Sequence, residues 1–121
     1  MADIRGKNPA PVLQITAADR DGAMVVQPVG DIDLSGSPVL RMELRRVQES
    51  RPMRLIIDLA GVPYMDSSGV ATLVEAMQIS RRNNTKLVLC GLRDKVRSIF
   101  EIARLDTVFT IVVDAEAALV A

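Results

Sequence analysis

The apolar positions of this chain change their period as it runs. They are alternating or continuous over short stretches and spaced three and four apart over longer ones. Residues 11–16, with Val12, Leu13 and Ile15, and residues 23–29, with Met24, Val25, Val26 and Val29, read as two strands. Asp19, Arg20, Asp21 and Gly22 join them, and the closing Asp-Gly pair is a hairpin signal. A loop of acids and small residues fills 30–36. Ser37 as cap and Pro38 at the first helical position then open a helix. Leu40, Leu44 and Val47 form its inner stripe, with Arg41, Arg45, Arg46 and Glu49 outward, and Arg51-Pro52 stops it.

Leu55, Ile56, Ile57 and Leu59 mark a strand over 53–59, which a turn at 60–63 ends. Val70, Leu73, Val74 and Met77 recur at helical spacing and predict a helix that runs to about Arg82. Residues 86–90 read as a strand. A helix from Asp94 to about Arg104 carries Val96, Ile99, Phe100 and Ala103. A strand over 108–113 and a short helix from Asp114 follow. The order ββαβαβαβα predicts an α/β single domain, a mixed, largely parallel β-sheet covered by about four helices. The polar residues 1–10 are expected to be a flexible N-terminal arm, with the domain over 11–121.

Composition removes whole classes of chemistry. The chain has 121 residues, enough to bury roughly two thirds of its unfolded surface in one core. Fifteen basic and fifteen acidic residues balance, so no general attraction to nucleic acid or an anionic membrane is expected. With no histidine there is no Ser-His-Asp triad, Cys-His pair or histidine metal site. The lysines, Lys7, Lys86 and Lys95, stand in no hydrolase spacing with a serine. No enzymatic activity, catalytic residue, cofactor or metal is expected. Cys90 ends an apolar run and reads as a buried, inert thiol suited to a reducing, cytoplasmic setting.

The chemistry that remains is concentrated in Tyr64-Met65-Asp66-Ser67-Ser68-Gly69, between the 53–59 strand and the following helix. Asp66 or Ser67 is the natural N-cap there. A helix start also attracts anions, so the serine pair is well placed to carry a phosphate. Gly69 in the first turn costs on the order of 1 kcal/mol relative to alanine. Its missing side chain is expected to let another surface come close. Small residues at Gly69, Thr72 and Ala76 would admit a partner helix, or else Ala76 and Ile79 widen the buried stripe. Sites in such sheets form at the carboxyl ends of strands, so Asp33 and Ser67 are expected to meet on one edge.

Gly30-Asp31-Ile32-Asp33, Leu55-Ile56-Ile57-Asp58-Leu59, Met65-Asp66-Ser67-Ser68-Gly69 and Lys86-Leu87-Val88-Leu89 together resemble the STAS domain, specifically the anti-sigma-factor antagonists. The similarity runs from about Val12 to Leu119. It implies that Ser67 is phosphorylated by a partner that is both anti-sigma factor and serine kinase. Asp33 would lie beside the acceptor and help partner binding. Asp66, Ser68, Gly69, Thr72 and Ala76 would complete the contact surface. The unmodified protein would bind the kinase and free the sigma factor in bacterial transcription regulation. A metal-dependent serine phosphatase would reverse the modification. The chain could also form a weak homodimer.

Two other readings have a basis. Asp31, Asp33, Asp58 or Asp66 could hold magnesium in a receiver-like phospho-acceptor, although Asp58 lies inside a strand. The same fold could instead serve as a non-switching docking subunit of a lipid transporter or a signalling scaffold.

Overall fold

The computed structural model describes residues 13–121; the expected arm at 1–10 lies outside the described residues. Strand β1 (Gln14–Arg20) and strand β2 (Ala23–Val29) form a hairpin. Its turn is shorter than the four residues anticipated, because Asp19 and Arg20 belong to the ladder. Asp21 and Gly22 alone make the turn, at φ of 55° and 87°. A two-residue turn of this kind needs positive φ at both central positions, and glycine and aspartate are among the residues that accept it. Gly22 N also donates to Asp19 Oδ1 (3.2 Å).

Helix α1 (Ser37–Glu49), strand β3 (Arg54–Asp58), helix α2 (Ser67–Arg82), strand β4 (Lys86–Cys90), helix α3 (Asp94–Ile102), strand β5 (Thr110–Val112) and helix α4 (Ala115–Leu119) complete the chain. The five strands lie in sequence order across one sheet, β1 antiparallel to β2 and the rest parallel. The mixed α/β domain with four helices is therefore as expected. α3 stops early because Arg104 turns into the left-handed region (φ 61°). A 3-10 turn at Leu105–Thr107 then takes the amide hydrogens of Val108 and Phe109 onto Leu105 O, which shortens the anticipated last strand to three residues.

With the parallel strands in chain order and right-handed crossovers, successive helices fall on the same face. The larger core accordingly gathers Leu40, Leu44 and Val47 of α1, Leu73 and Met77 of α2, and Val96 and Phe100 of α3 against Leu55, Ile57, Leu87 and Leu89. Phe100 meets Phe109 edge-on at 5.5 Å. Among the described residues the other face is covered by α4 alone, whose Ala118 packs on Val25, Ile56, Val88 and Cys90. Arg54 fastens α4, its guanidinium donating to Ala118 O (3.2 Å) and Ala121 O (2.5 Å). Burial pushes the Cys90 thiol up to about 12, so it stays protonated. Among the described residues no helix is long and apolar enough to cross a membrane.

Candidate functional site at two strand-to-helix junctions

The loops after β2 and β3 are tied together by a parallel bridge between Ile32 and Met65. Ile32 N donates to Tyr64 O (3.0 Å), and Asp66 N donates to Ile32 O (3.1 Å). The residues that follow, Asp33 on one loop and Ser67 on the other, are thereby held on one edge of the sheet.

Asp33 builds the entry to α1. Its Oδ1 accepts from Ser35 N (3.0 Å), Ser35 Oγ (2.8 Å) and Gly36 N (3.1 Å). Its carbonyl accepts from Gly36 N (3.1 Å) and Ser37 N (2.8 Å). The Ser35 hydroxyl, followed by the Gly36 amide, holds the carboxyl below its ordinary value. Gly36 takes the cap position, so the expected capping role of Ser37 is not the one it has. Ser37 is buried within the first turn instead, its Oγ 2.7 Å from Ser68 Oγ.

Asp66 is the N-cap of α2, with extended backbone and Oδ1 accepting from Ser68 N (2.8 Å), Gly69 N (3.3 Å) and Ser68 Oγ (2.5 Å). The Ser68 hydroxyl is the main reason its carboxyl lies below the ordinary range, while the nearby charge of Asp33 works weakly the other way. Ser67 is the first helical residue and is exposed. Among the described residues its hydroxyl has no hydrogen-bond partner.

Three residues expected at a partner surface face inward. A Cβ on Gly69 would stand 2.6 Å from Met65 Cγ and 2.8 Å from Ile32 Cγ2. The surface that comes close to this glycine is thus the chain's own inter-loop bridge. Thr72 and Ala76 are buried, only 1% and 3% exposed. Thr72 Oγ1 donates to Ser68 O (2.9 Å), and Ala76 O accepts from Gln48 Nε2 of α1 (2.9 Å). The helix lying close along this stripe is α1, because two successive right-handed crossovers put α1 and α2 side by side.

Sequence reasoning passed over two further features. Leu34, 79% exposed, and Tyr64, 48% exposed, are apolar surface in the same two loops as Asp33 and Ser67. An exposed leucine in a loop of acids was the available signal. The other is the pairing of α1 with α2 through Arg41 and Arg45, both bonded to Glu75. Its register depends on how the helices pack, and so has no local signal.

The aspartates do not converge as a magnesium-held acceptor would require. Among the described residues no three acidic, histidine or cysteine side chains are grouped to hold a metal ion. Asp58 is the last residue of β3 and is occupied structurally, accepting from Gln27 Nε2 (3.0 Å) and Ala60 N (3.1 Å).

Sheet order, three helices on one face and two adjoining strand-to-helix junctions define a small α/β domain with an exposed serine at a helix start. The family model for the STAS domain matches residues 14–118, and the chain belongs to that family. The anti-sigma-B factor antagonist of Listeria monocytogenes is 37% identical over 82 residues, which span 68% of this chain and 72% of that protein. Among solved structures, an anti-sigma factor antagonist from Mycobacterium paratuberculosis has the same fold, with a TM-score of 0.83 at 24% identity over 89% of this chain and 92% of that one. The Bacillus cell fate determinant SpoIIAA in its phosphorylated form shares it at a TM-score of 0.66, with 18% identity over 88% and 96% of the two chains.

Proposed function

We propose that this protein is an anti-sigma-factor antagonist switched by phosphorylation of Ser67. In this reading the unmodified form binds a serine-kinase anti-sigma factor in the cytoplasm and so releases sigma factor. The kinase then transfers a phosphoryl group from ATP. Ser67 Oγ forms the new bond to phosphorus, ADP leaves with the electron pair of the broken bond, and the hydroxyl proton passes to a base of the kinase. A metal-dependent serine phosphatase restores the starting form. The observation that carries the reading is the contrast within the serine pair: Ser67 is exposed and, among the described residues, unengaged, whereas Ser68 is hydrogen-bonded on both sides. The names of the relatives and the phosphorylated state of SpoIIAA support it.

The same geometry accounts for a switch without refolding. A phosphoserine adds roughly −1.5 to −2 charges. At the first residue of α2 that charge is favoured by the helix N-terminus, so the fold tolerates it. Asp33 and Asp66 already make this edge negative. A partner seated over Leu34, Tyr64 and Ser67 would meet added bulk and charge together, and like charges brought into an interface cost several kcal/mol.

The test is recovery of the protein from its native cells with phosphatases inhibited, followed by mass-spectrometric mapping and identification of what co-purifies. Phosphate on Ser67 with an ATP-binding partner is expected. An unmodified protein under several stresses, held by a transporter or a scaffold, would overturn the switch in favour of a docking role.

A further inference from the structure

Two adjacent serines open α2, and an incoming phosphoryl group must distinguish them. Ser68 Oγ stands 2.5 Å from Asp66 Oδ1 and 2.7 Å from Ser37 Oγ. A carboxylate can only accept, so the Ser68 proton goes to Asp66. The bond between the two serines must then run from Ser37 Oγ–H to a lone pair of Ser68. The direction of every link follows: Ser37 donates to Ser68, and Ser68 donates to Asp66. Ser37 is 3% exposed and its neighbour Ser68 half-buried, so solvent does not compete freely for either hydroxyl.

We infer that Ser37, a residue of a different helix, is a positioning residue that confines phosphorylation to Ser67. Its hydroxyl engages one of the two lone pairs of Ser68 Oγ, which leaves an attacking Ser68 only the other to present. It also fixes the rotamer that gives the Ser68 proton to Asp66. A phosphoryl group on Ser68 would have to displace Ser37 and set its oxygens against the Asp66 carboxylate, with both changes opposed by the surrounding packing. Ser67, one residue earlier, has neither constraint. This inference rests on the Ser67 reading for its functional meaning, but the relay itself can be measured independently.

The experiment compares the full chain with Ser37→Ala and Ser37→Thr. The Asp66 carboxyl is titrated by carbon-detected NMR, and phosphate is mapped by mass spectrometry after recovery from the native cells. In Ser37→Ala the Asp66 titration should move upward, because Ser68 loses its orientation, and Ser68 phosphate should rise at least tenfold from its wild-type level. Ser37→Thr, which keeps the hydroxyl, should restore both. Phosphate on Ser67 alone in all three proteins would overturn the positioning role and leave the acceptor reading standing. An unmoved Asp66 titration in Ser37→Ala would overturn the relay. Absence of phosphate from Ser67 in all three would remove the acceptor reading, and the specificity role with it, even if the titration moved.

Discussion

Gly69 and Ile32 are in such close contact that a methyl group on the glycine would lie 2.8 Å from Ile32 Cγ2 and 3.0 Å from Ile32 O. Alanine is the better helix former by about 1 kcal/mol. Overpacking a tight contact costs about 1–3 kcal/mol, and part of this contact is backbone. Gly69→Ala should therefore lower stability in a urea melt. A rise would mean that the Ile32 loop yields freely, and that the glycine is there for a partner after all.

Asp66 contributes stability through its cap, and that contribution has a defined pH window. Its folded-state carboxyl lies below the ordinary 3.8 because Ser68 and the Gly69 amide favour the charged form. The folded protein thus holds this proton less tightly than the unfolded chain. The stabilisation is complete above about pH 4 and is lost as pH falls through the folded value. Asp66→Ala should cost about 1 kcal/mol at pH 7 and flatten the acid limb of the stability curve. An unchanged acid limb would place the pH dependence elsewhere, with Glu43 and Glu75, whose carboxyls are lowered by their arginine partners, the next to test.

Asp33, expected beside the acceptor as a help to partner binding, is the tie that shapes the α1 entry loop. Asp33→Asn keeps an acceptor for Ser35 and Gly36 and removes the charge. Asp33→Ala removes both, and should lower stability, which Asp33→Asn largely retains. Thermal melts separate the two. Equal melting temperatures for Asp33→Ala and the parent would confine its role to charge.

For the switch, Ser67→Ala should keep its affinity for the recovered kinase and Ser67→Asp should lose it. A hundredfold difference corresponds to about 2.7 kcal/mol. Isothermal titration calorimetry reads it directly, and equal binding of both variants would dismiss the electrostatic account.

Gln48 supplies a prediction of the opposite sign. It is buried between α1 and α2, its Nε2 donating to Ala76 O (2.9 Å) and Ser80 Oγ (3.0 Å), while Oε1 is buried without a partner among the described residues. An unsatisfied buried acceptor costs about 1–3 kcal/mol. Gln48→Met, similar in length, should leave stability unchanged or raise it by about 1 kcal/mol. A loss above 2 kcal/mol in a denaturant melt would show that the amide bonds outweigh the orphaned oxygen.

The strands and helices were legible because each carries its own period: Leu55 to Leu59 as a continuous run, Val70 to Met77 as a stripe. The serine-bearing helix start was legible for the same reason, since a cap and its glycine are local signals. The misjudged features depend on contacts between distant segments. Ser37-Pro38 has the appearance of a capped helix start, and only the pairing with Ser68, 31 residues later, shows why that serine is buried. Thr72 and Ala76 mark a helix-contact stripe correctly, but a stripe does not say whether the other helix belongs to the same chain. β1 extends past Thr16 because Arg20 pairs with Ala23 across a two-residue turn, a register that Asp-Gly permits without dictating.

The coincidence of strand order with chain order has a consequence for biosynthesis. Each strand that leaves the ribosome finds its hydrogen-bonding neighbour already made, and each crossover helix is delivered to the same side as the one before. No strand has to wait for a later one to fill a gap beside it. The growing sheet therefore exposes only the outer edge of β1 and that of its most recent strand at any moment, which limits the open pairing surface through which nascent β-structure aggregates.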